Sequence, residues 1–200
     1  MNMTTIRSRV PLKVGQNHVP CEIVSFNGLP EDKEHVALLF KAETLLSSEA
    51  PLVRVHSECL TGDAFYSSRC DCGQQLNEAF DLMAEQGGIV IYLRQEGRGI
   101  GLYNKLDAYE HQVAGLNTFE ANKIIGFDHD LRTYHSAAAI LKHLGFQKIR
   151  LLSNNKNKSK ELKKLGIDVI EEVNTQTYVT EDNINYLKAK RSIDGHSLAV

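Results

Sequence analysis

Hydrophobic and polar positions along the chain fall into short apolar runs and longer periodic stretches. Short apolar runs bounded by Gly, Pro and Asp predict strands over residues 21–26, 35–40 and 51–56. From residue 73 to 86 the pattern is periodic: Leu76, Ala79, Phe80 and Met83 fall at i, i+3, i+4 and i+7, which lines one face of a helix, and Gly87-Gly88 ends it. Residues 89–93 read as a buried strand. A glycine-rich loop follows, then a helix over roughly 102–113 with Leu102, Leu106, Tyr109 and Val113 on one face. A helix over 134–144, a strand over 148–152, a helix over 159–165 and a strand over 167–173 complete the series.

Strands come first and helices then alternate with strands, so the expected fold is a single α/β (α+β) domain, a mixed β-sheet with packed helices. Residues 1–173 are expected to form this domain, and the polar stretch 174–200 a C-terminal tail with some mobility. A chain of 200 residues has room for one such unit. Its apolar share of 42% is enough for a core, and a formal charge of -2 excludes the strongly basic surface that binds long nucleic acid. The N-terminus has no apolar run behind Arg7, and no stretch approaches the roughly 20 apolar residues of a membrane span. A cytoplasmic protein with no membrane partner is expected.

Three of the four cysteines crowd into one segment, at C-x10-C-x-C spacing: Cys59, Cys70 and Cys72. In a reducing compartment such a cluster points to metal or to chemistry rather than to disulfides. Buried free cysteines behave as small hydrophobes, but Cys70-Asp71-Cys72 lies in a polar turn between Arg69 and Gly73, where that role has little rationale. Three thiolates leave zinc one position open, as catalytic sites do. With His56 as a fourth ligand the site would instead be closed and structural. His56-Ser57-Glu58 also matches the H-x-E of zinc nucleobase deaminases, but the P-C-x-x-C half of that signature is missing.

After the strand at 89–93 comes Arg94-Gln95-Glu96-Gly97-Arg98-Gly99-Ile100-Gly101. A loop of this kind before a helix presents backbone N–H groups to anions, although G-x-G-x-G is neither the dinucleotide fingerprint nor the P-loop. Arg94, Arg98 and Lys105 add positive charge, and a second basic stretch, 154–160, follows another strand. A polyphosphate held at one end and a base attacked at the other would suit a nucleoside triphosphate.

The segments Arg54-Val55-His56-Ser57-Glu58-Cys59-Leu60-Thr61-Gly62-Asp63, Arg69-Cys70-Asp71-Cys72-Gly73 and Arg94-Gln95-Glu96-Gly97-Arg98 resemble GTP cyclohydrolase II. The likeness runs on through Asn104-Lys105, Ala108-Tyr109, 118–122 and Asp130-Leu131-Arg132, and ends weakly at Tyr186-Leu187 and Gly195-His196. It implies a homodimeric enzyme that hydrolyses GTP at guanine C8 with release of formate and diphosphate, using Zn2+ and Mg2+, as the first step of riboflavin biosynthesis. By motif, Cys59, Cys70 and Cys72 would bind zinc. Arg54, Val55, His56, Ser57, Glu58, Gln75, Glu96, Gly97, Arg98, Thr118, Ser153 and Lys158 would contact the nucleotide. Asp130 would accept a proton, Arg132 would attack or clamp the α-phosphate, and Tyr109 would assist hydrolysis at the metal. Two positions depart from the family pattern: Lys156 stands where a proline is usual, and Thr133 where an aspartate is usual. A relative that stops at ring opening, and a nucleotide-binding regulator with a structural zinc, are the alternatives.

Overall fold

Seven strands join into one mixed sheet in the order β1-β2-β3-β5-β4-β6-β7. In the computed structural model, which describes residues 3–45, 47–116, 118–127 and 130–184, these are β1 (Thr5–Val14), β2 (Val19–Asn27), β3 (Val36–Phe40), β4 (Leu52–Ser57), β5 (Gly88–Leu93), β6 (Lys148–Leu152) and β7 (Asp168–Val173). The helices are α1 (Ala42–Leu45), α2 (Leu60–Asp63), α3 (Cys72–Gln86), α4 (Leu102–Val113), α5 (Thr118–Ile124), α6 (His135–His143) and α7 (Lys156–Lys164). The α/β reading holds. The resemblance at Tyr186-Leu187 and Gly195-His196 lies outside the described residues, as do positions 185–200 of the expected tail.

Strands β1, β2, β3 and β5 pair antiparallel in that order, whereas β5, β4, β6 and β7 run parallel. The parallel half is covered on both faces, as parallel sheets usually are. Alternation along β4 divides its side chains accordingly. Val53 and Val55 enter a core with Ala137, Ile140 and Leu141 of α6 and Leu162 of α7, while Leu52 packs with Leu76, Phe80 and Met83 of α3. Arg54 and His56, two and four residues after Leu52, share its face. That face is where the site forms.

Strand β1 is not among the predicted elements, because its residues are almost all exposed and Pro11 interrupts the run. Pro11 opposes Glu22 on β2, and as β1 is the edge of the sheet the missing N–H breaks no inner ladder. Helix α7 starts three residues earlier than expected, since the Asn155 side chain accepts from the Asn157 N–H at 2.9 Å and caps it. Lys156 is thus the first helical residue. Proline is favoured at that position because the N–H there has no helical partner, so Lys156 in its place loses no bond and leaves the turn intact.

The predicted apolar face of α4 is not a core face. Leu106 and Val113 are exposed, Tyr103 is 81% exposed, and Ala108 is the helix's one buried residue. Beyond β7 the polar chain is tied back across the sheet. Asn154 exchanges two hydrogen bonds with the Thr175 backbone, at 2.9 and 3.0 Å. The Gln176 N–H donates to Glu78, and the Thr180 hydroxyl donates to the Ser68 carbonyl. This segment braces the loop that leads into Cys70. No helix among the described residues is long and apolar enough to cross a membrane.

Candidate active site

Parallel strands deliver the loops at their C-terminal ends to one edge of the sheet, and there a cleft of about 820 Å³ opens. The loop after β4 carries Glu58 and Cys59, the loop after β5 carries residues 94–101, and Ser153 to Asn155 follow β6. Side chains bind the first two together. Arg94 Nε donates to both Glu58 carboxylate oxygens at 3.0 Å, and Gln95 Nε2 donates to Ser57 Oγ at 2.9 Å.

Cys59 precedes α2, Cys70 lies just before α3, and Cys72 is the first residue of α3. Two helix N-termini, where backbone dipoles favour negative charge, therefore meet at the thiols. The three sulfurs lie within 4.8 Å of one another, with Cys59 Sγ 3.6 Å from Cys70 Sγ. Sulfurs on a tetrahedral zinc are about 3.8 Å apart for bonds of about 2.3 Å. The donor set fits zinc. Gly62 makes room for it, because a Cβ there would lie 2.7 Å from Cys70 Sγ and 3.1 Å from Cys59 Sγ.

Electrostatics point the same way. The Cys59 thiol is held well below its ordinary range, because the Cys70 and Cys72 thiols donate to it and Lys105 stands beside it. Cys70 is pushed up to about 11 and Cys72 is raised as well, chiefly through their bonds to Cys59 and through burial. An ionised Cys59 disfavours ionisation of its two neighbours, so holding all three as thiolates calls for a cation.

His56 does not close this shell. Its Nε2 lies 3.1 Å from both Asp63 oxygens, its ring stacks on Tyr92, and burial holds it neutral against the pull of Asp63. Asp63 also accepts from the Tyr92 hydroxyl at 2.8 Å and from the Cys59 N–H at 3.0 Å. Among the described residues, the metal-competent group is the three cysteines alone.

Behind the cluster, Arg54 donates to Gln75 Oε1 at 2.8 Å and to the Leu152 carbonyl at 3.2 Å, and Gln75 donates to the fully buried Asp71 at 2.7 Å. Lys158, also buried, donates to the Val55 carbonyl at 2.5 Å beneath the Tyr134 ring. Val55 itself turns its side chain into the core. Arg54, His56, Ser57, Glu58, Gln75, Ser153 and Lys158 all reach the cleft wall. Thr118 opens α5, and its side chain lies outside the described set.

The glycine loop has a tight geometry. Gly97 and Arg98 both adopt left-handed conformations, φ 60° in each, and Gly99 and Gly101 follow at positive φ. A non-glycine residue held in that region is strained, and such strain gathers at functional sites. Gly99 also allows close contact, since a Cβ would meet the Leu131 backbone at 3.1 Å; the Leu131 N–H donates to the Arg98 carbonyl. The loop thereby places Arg98 near Arg132. Asp130 grips the Arg132 fork through Nε at 2.9 Å and Nη2 at 2.6 Å, and that partner holds the Asp130 carboxyl below its usual range despite burial. Thr133, the second departure, donates its hydroxyl to Glu31 and takes no part in orienting Arg132.

Tyr109 completes the site. Arg69 lies 4.9 Å and Lys105 Nζ 5.6 Å from its ring centre, and burial pushes its phenol up. Three residues that the sequence reading assigned no role, Asp63, Asp71 and Tyr92, hold the others in place. Asp63 and Asp71 fall within the quoted motifs, whereas Tyr92 is tied to His56 only through the parallel register of β4 and β5.

The sequence model of the GTP cyclohydrolase II family matches residues 4–174. The chain is 55% identical over 199 residues to a GTP cyclohydrolase-2 of Vibrio vulnificus (strain CMCP6), covering 99% of this chain and 100% of the relative. It is also 55% identical over 197 residues to a GTP cyclohydrolase-2 of Vibrio cholerae serotype O1 (strain ATCC 39315 / El Tor Inaba N16961), covering 98% of this chain and 99% of the relative. Among solved structures, a two-domain 3,4-dihydroxy-2-butanone 4-phosphate synthase from A. baumannii aligns at TM-score 0.41 and 18% identity, over 76% of this chain and 35% of that one. That likeness is too distant to bear on fold or function.

Proposed function

This chain belongs to the GTP cyclohydrolase II family, and from that premise we propose that it hydrolyses GTP at guanine C8, releasing formate and diphosphate in the first step of riboflavin biosynthesis in the cytoplasm. One observation carries the reading: a single cleft joins an open three-thiolate cluster to Arg98 and Arg132. Its size falls within the roughly 300–1,000 Å³ of small-molecule sites.

Cys59, Cys70 and Cys72 hold the zinc. When bound in an open site of this kind, zinc supplies Lewis acidity and an activated water. The nucleotide lies along β4 and its flanking loops, contacting Arg54, the Val55 backbone, His56, Ser57, Glu58, Gln75, Glu96, Gly97, Arg98, Thr118, Ser153 and Lys158. Tyr109 stays a phenol at neutral pH and can donate a proton to a reacting nitrogen or oxygen.

Arg132 takes the α-phosphate as diphosphate leaves. Its bidentate pairing with Asp130 favours the charged guanidinium, which supports a clamp over a nucleophile. A carboxylate held below its usual range is a weak base, so Asp130 acts first to aim Arg132 and accepts a proton only in passing. Magnesium arrives with the triphosphate, in keeping with its preference for phosphate oxygens and water. The exposed apolar residues Tyr103, Leu106 and Val113 of α4, with Ile124 of α5, support a homodimer.

The test is incubation of the purified protein with GTP, Zn2+ and Mg2+, with formate and diphosphate assayed separately. Both should appear in equal amounts. Neither product, from protein carrying stoichiometric zinc, overturns the reading, whereas diphosphate or ring-opened nucleotide without formate favours an enzyme that stops early. Cys70→Ser should lose zinc and formate release together. A regulator with a closed structural zinc is disfavoured by the pairing of His56 with Asp63.

A further inference from the structure

Lys105 carries a positive charge into the cleft, and its neighbours decide what that charge serves. An ammonium has three N–H donors, and three acceptors surround this one: Glu96 Oε1 at 2.8 Å, Thr61 Oγ1 at 3.0 Å and Cys59 Sγ at 3.3 Å. Its donors are matched one to one by protein groups, so phosphate would have to displace a bond already made. Glu96 is engaged in the same way. Its Oε2 accepts from the Leu60 N–H at 2.6 Å, and its Oε1 accepts from the Gly97 N–H at 2.8 Å as well as from Lys105. Both side chains are largely buried.

We propose that Lys105, held by Glu96, is a positioning residue of the metal centre: it fixes the Cys59 sulfur and balances the charge of the thiolate cluster, rather than binding the triphosphate. The charge count gives the reason. Three thiolates on a dication carry a net charge of minus one, two of the sulfurs belong to buried residues, and burying such a charge without a partner is costly. The lysine supplies the opposite charge at the sulfur itself. Glu96 ties the turn after Cys59 to the glycine loop, so one bridge sets the distance between the metal end of the cleft and the phosphate end.

The inference rests on the zinc reading of the three cysteines, and the experiment separates the two. Wild-type protein and Lys105→Met, which keeps the stem and drops the charge, are stripped of metal and titrated with zinc against a chromogenic chelator. A wild type that takes up no zinc defeats the zinc reading itself. If the wild type binds one zinc per chain, Lys105→Met should bind it about 10- to 100-fold more weakly, the range for loss of a partner to a metal ligand. Cobalt in place of zinc reads the sulfur directly, and the thiolate-to-cobalt charge-transfer band should shift in the variant. Zinc affinity within twofold of wild type, together with an unchanged cobalt band, overturns the proposal. Should Lys105→Met fail to fold, wild-type protein labelled with 15N-lysine decides: the Lys105 ammonium resonance must move when zinc is added, and a resonance that stays in place overturns the proposal.

Discussion

A Cβ on Gly73 would lie 2.3 Å from the carbonyl oxygen of Gly62, so the turn after Cys59 and the first turn of α3 pack backbone against backbone. Both turns carry thiols, and this approach sets the distance between them. Gly73→Ala should therefore push the Cys59 turn away from Cys70 and Cys72. Overpacking of this kind costs about 1–3 kcal/mol. The variant is expected to melt lower than wild type and to purify with well under one zinc per chain. An unchanged Tm with full zinc content would show that the close approach has no such role.

Stability should fall in mild acid. His35 is buried, and burial lowers its pKa below 6.5; its Nδ1 accepts from the Arg94 N–H at 2.9 Å, a bond that the protonated ring cannot accept. Above pH 6.5 neither the folded nor the unfolded state holds the proton, and stability is full. As the pH drops through that value the unfolded chain takes up a proton that the folded chain refuses, so the unfolding free energy declines until the folded pKa is reached. His56 is depressed by burial as well and acts in the same direction. Urea midpoints measured from neutral to mildly acidic pH should fall, and His35→Asn, which keeps an acceptor for Arg94, should flatten the fall by up to about 1.4 kcal/mol per pH unit. Equal slopes in the two proteins would exclude His35 as the source.

Arg132→Lys keeps the charge and removes the planar fork that Asp130 grips. Lysine is not equivalent at a bidentate site. We expect kcat for diphosphate release to drop on the order of 100-fold, comparable to loss of one preorganised transition-state donor, with KM for GTP changed little. A lysine variant of near wild-type kcat would show that charge alone suffices there.

Lys156→Pro should be neutral or stabilising. Position 156 opens α7, and Asn155 before it is extended, at φ -96° and ψ 103°, as a residue preceding proline prefers to be. Proline would narrow the unfolded ensemble by about 0.4–1 kcal/mol. Thermal melts that place the variant clearly below wild type would mean that the Lys156 side chain or N–H contributes something the capped helix start does not require.

Much of this protein is legible along the chain because the relevant signals are local. Short apolar runs mark β2 to β7, and the 3.6-residue period marks α3. Cys59, Cys70 and Cys72 lie close enough in sequence that spacing and polar flanks suggest a metal. The alternating glycines of 97–101 reflect a backbone that needs positive φ at each of them. Where the reading missed, the signal was not local. β1 carries no buried apolar run because it is an exposed edge strand, and the apolar stripe of α4 looks like a core face until Leu106 and Val113 are found exposed and Tyr109 in the cleft.

The sequence by itself determined most of the elements, the clustering of the three cysteines and the family likeness, all of which depend on residue type and short-range spacing. The tertiary structure decided which distant residues share the cleft and what each charge there is bound to. Strand order β5-β4-β6 brings Gln75, Arg98, Arg132 and Lys158 to the same edge, although they are spread from residue 75 to residue 158. Read as a sequence, Lys105 was one more cation near a phosphate loop. Its three donors end on Cys59, Thr61 and Glu96, an assignment that no periodicity encodes because it depends on how two loops from neighbouring parallel strands, and the helix that follows one of them, pack together in space.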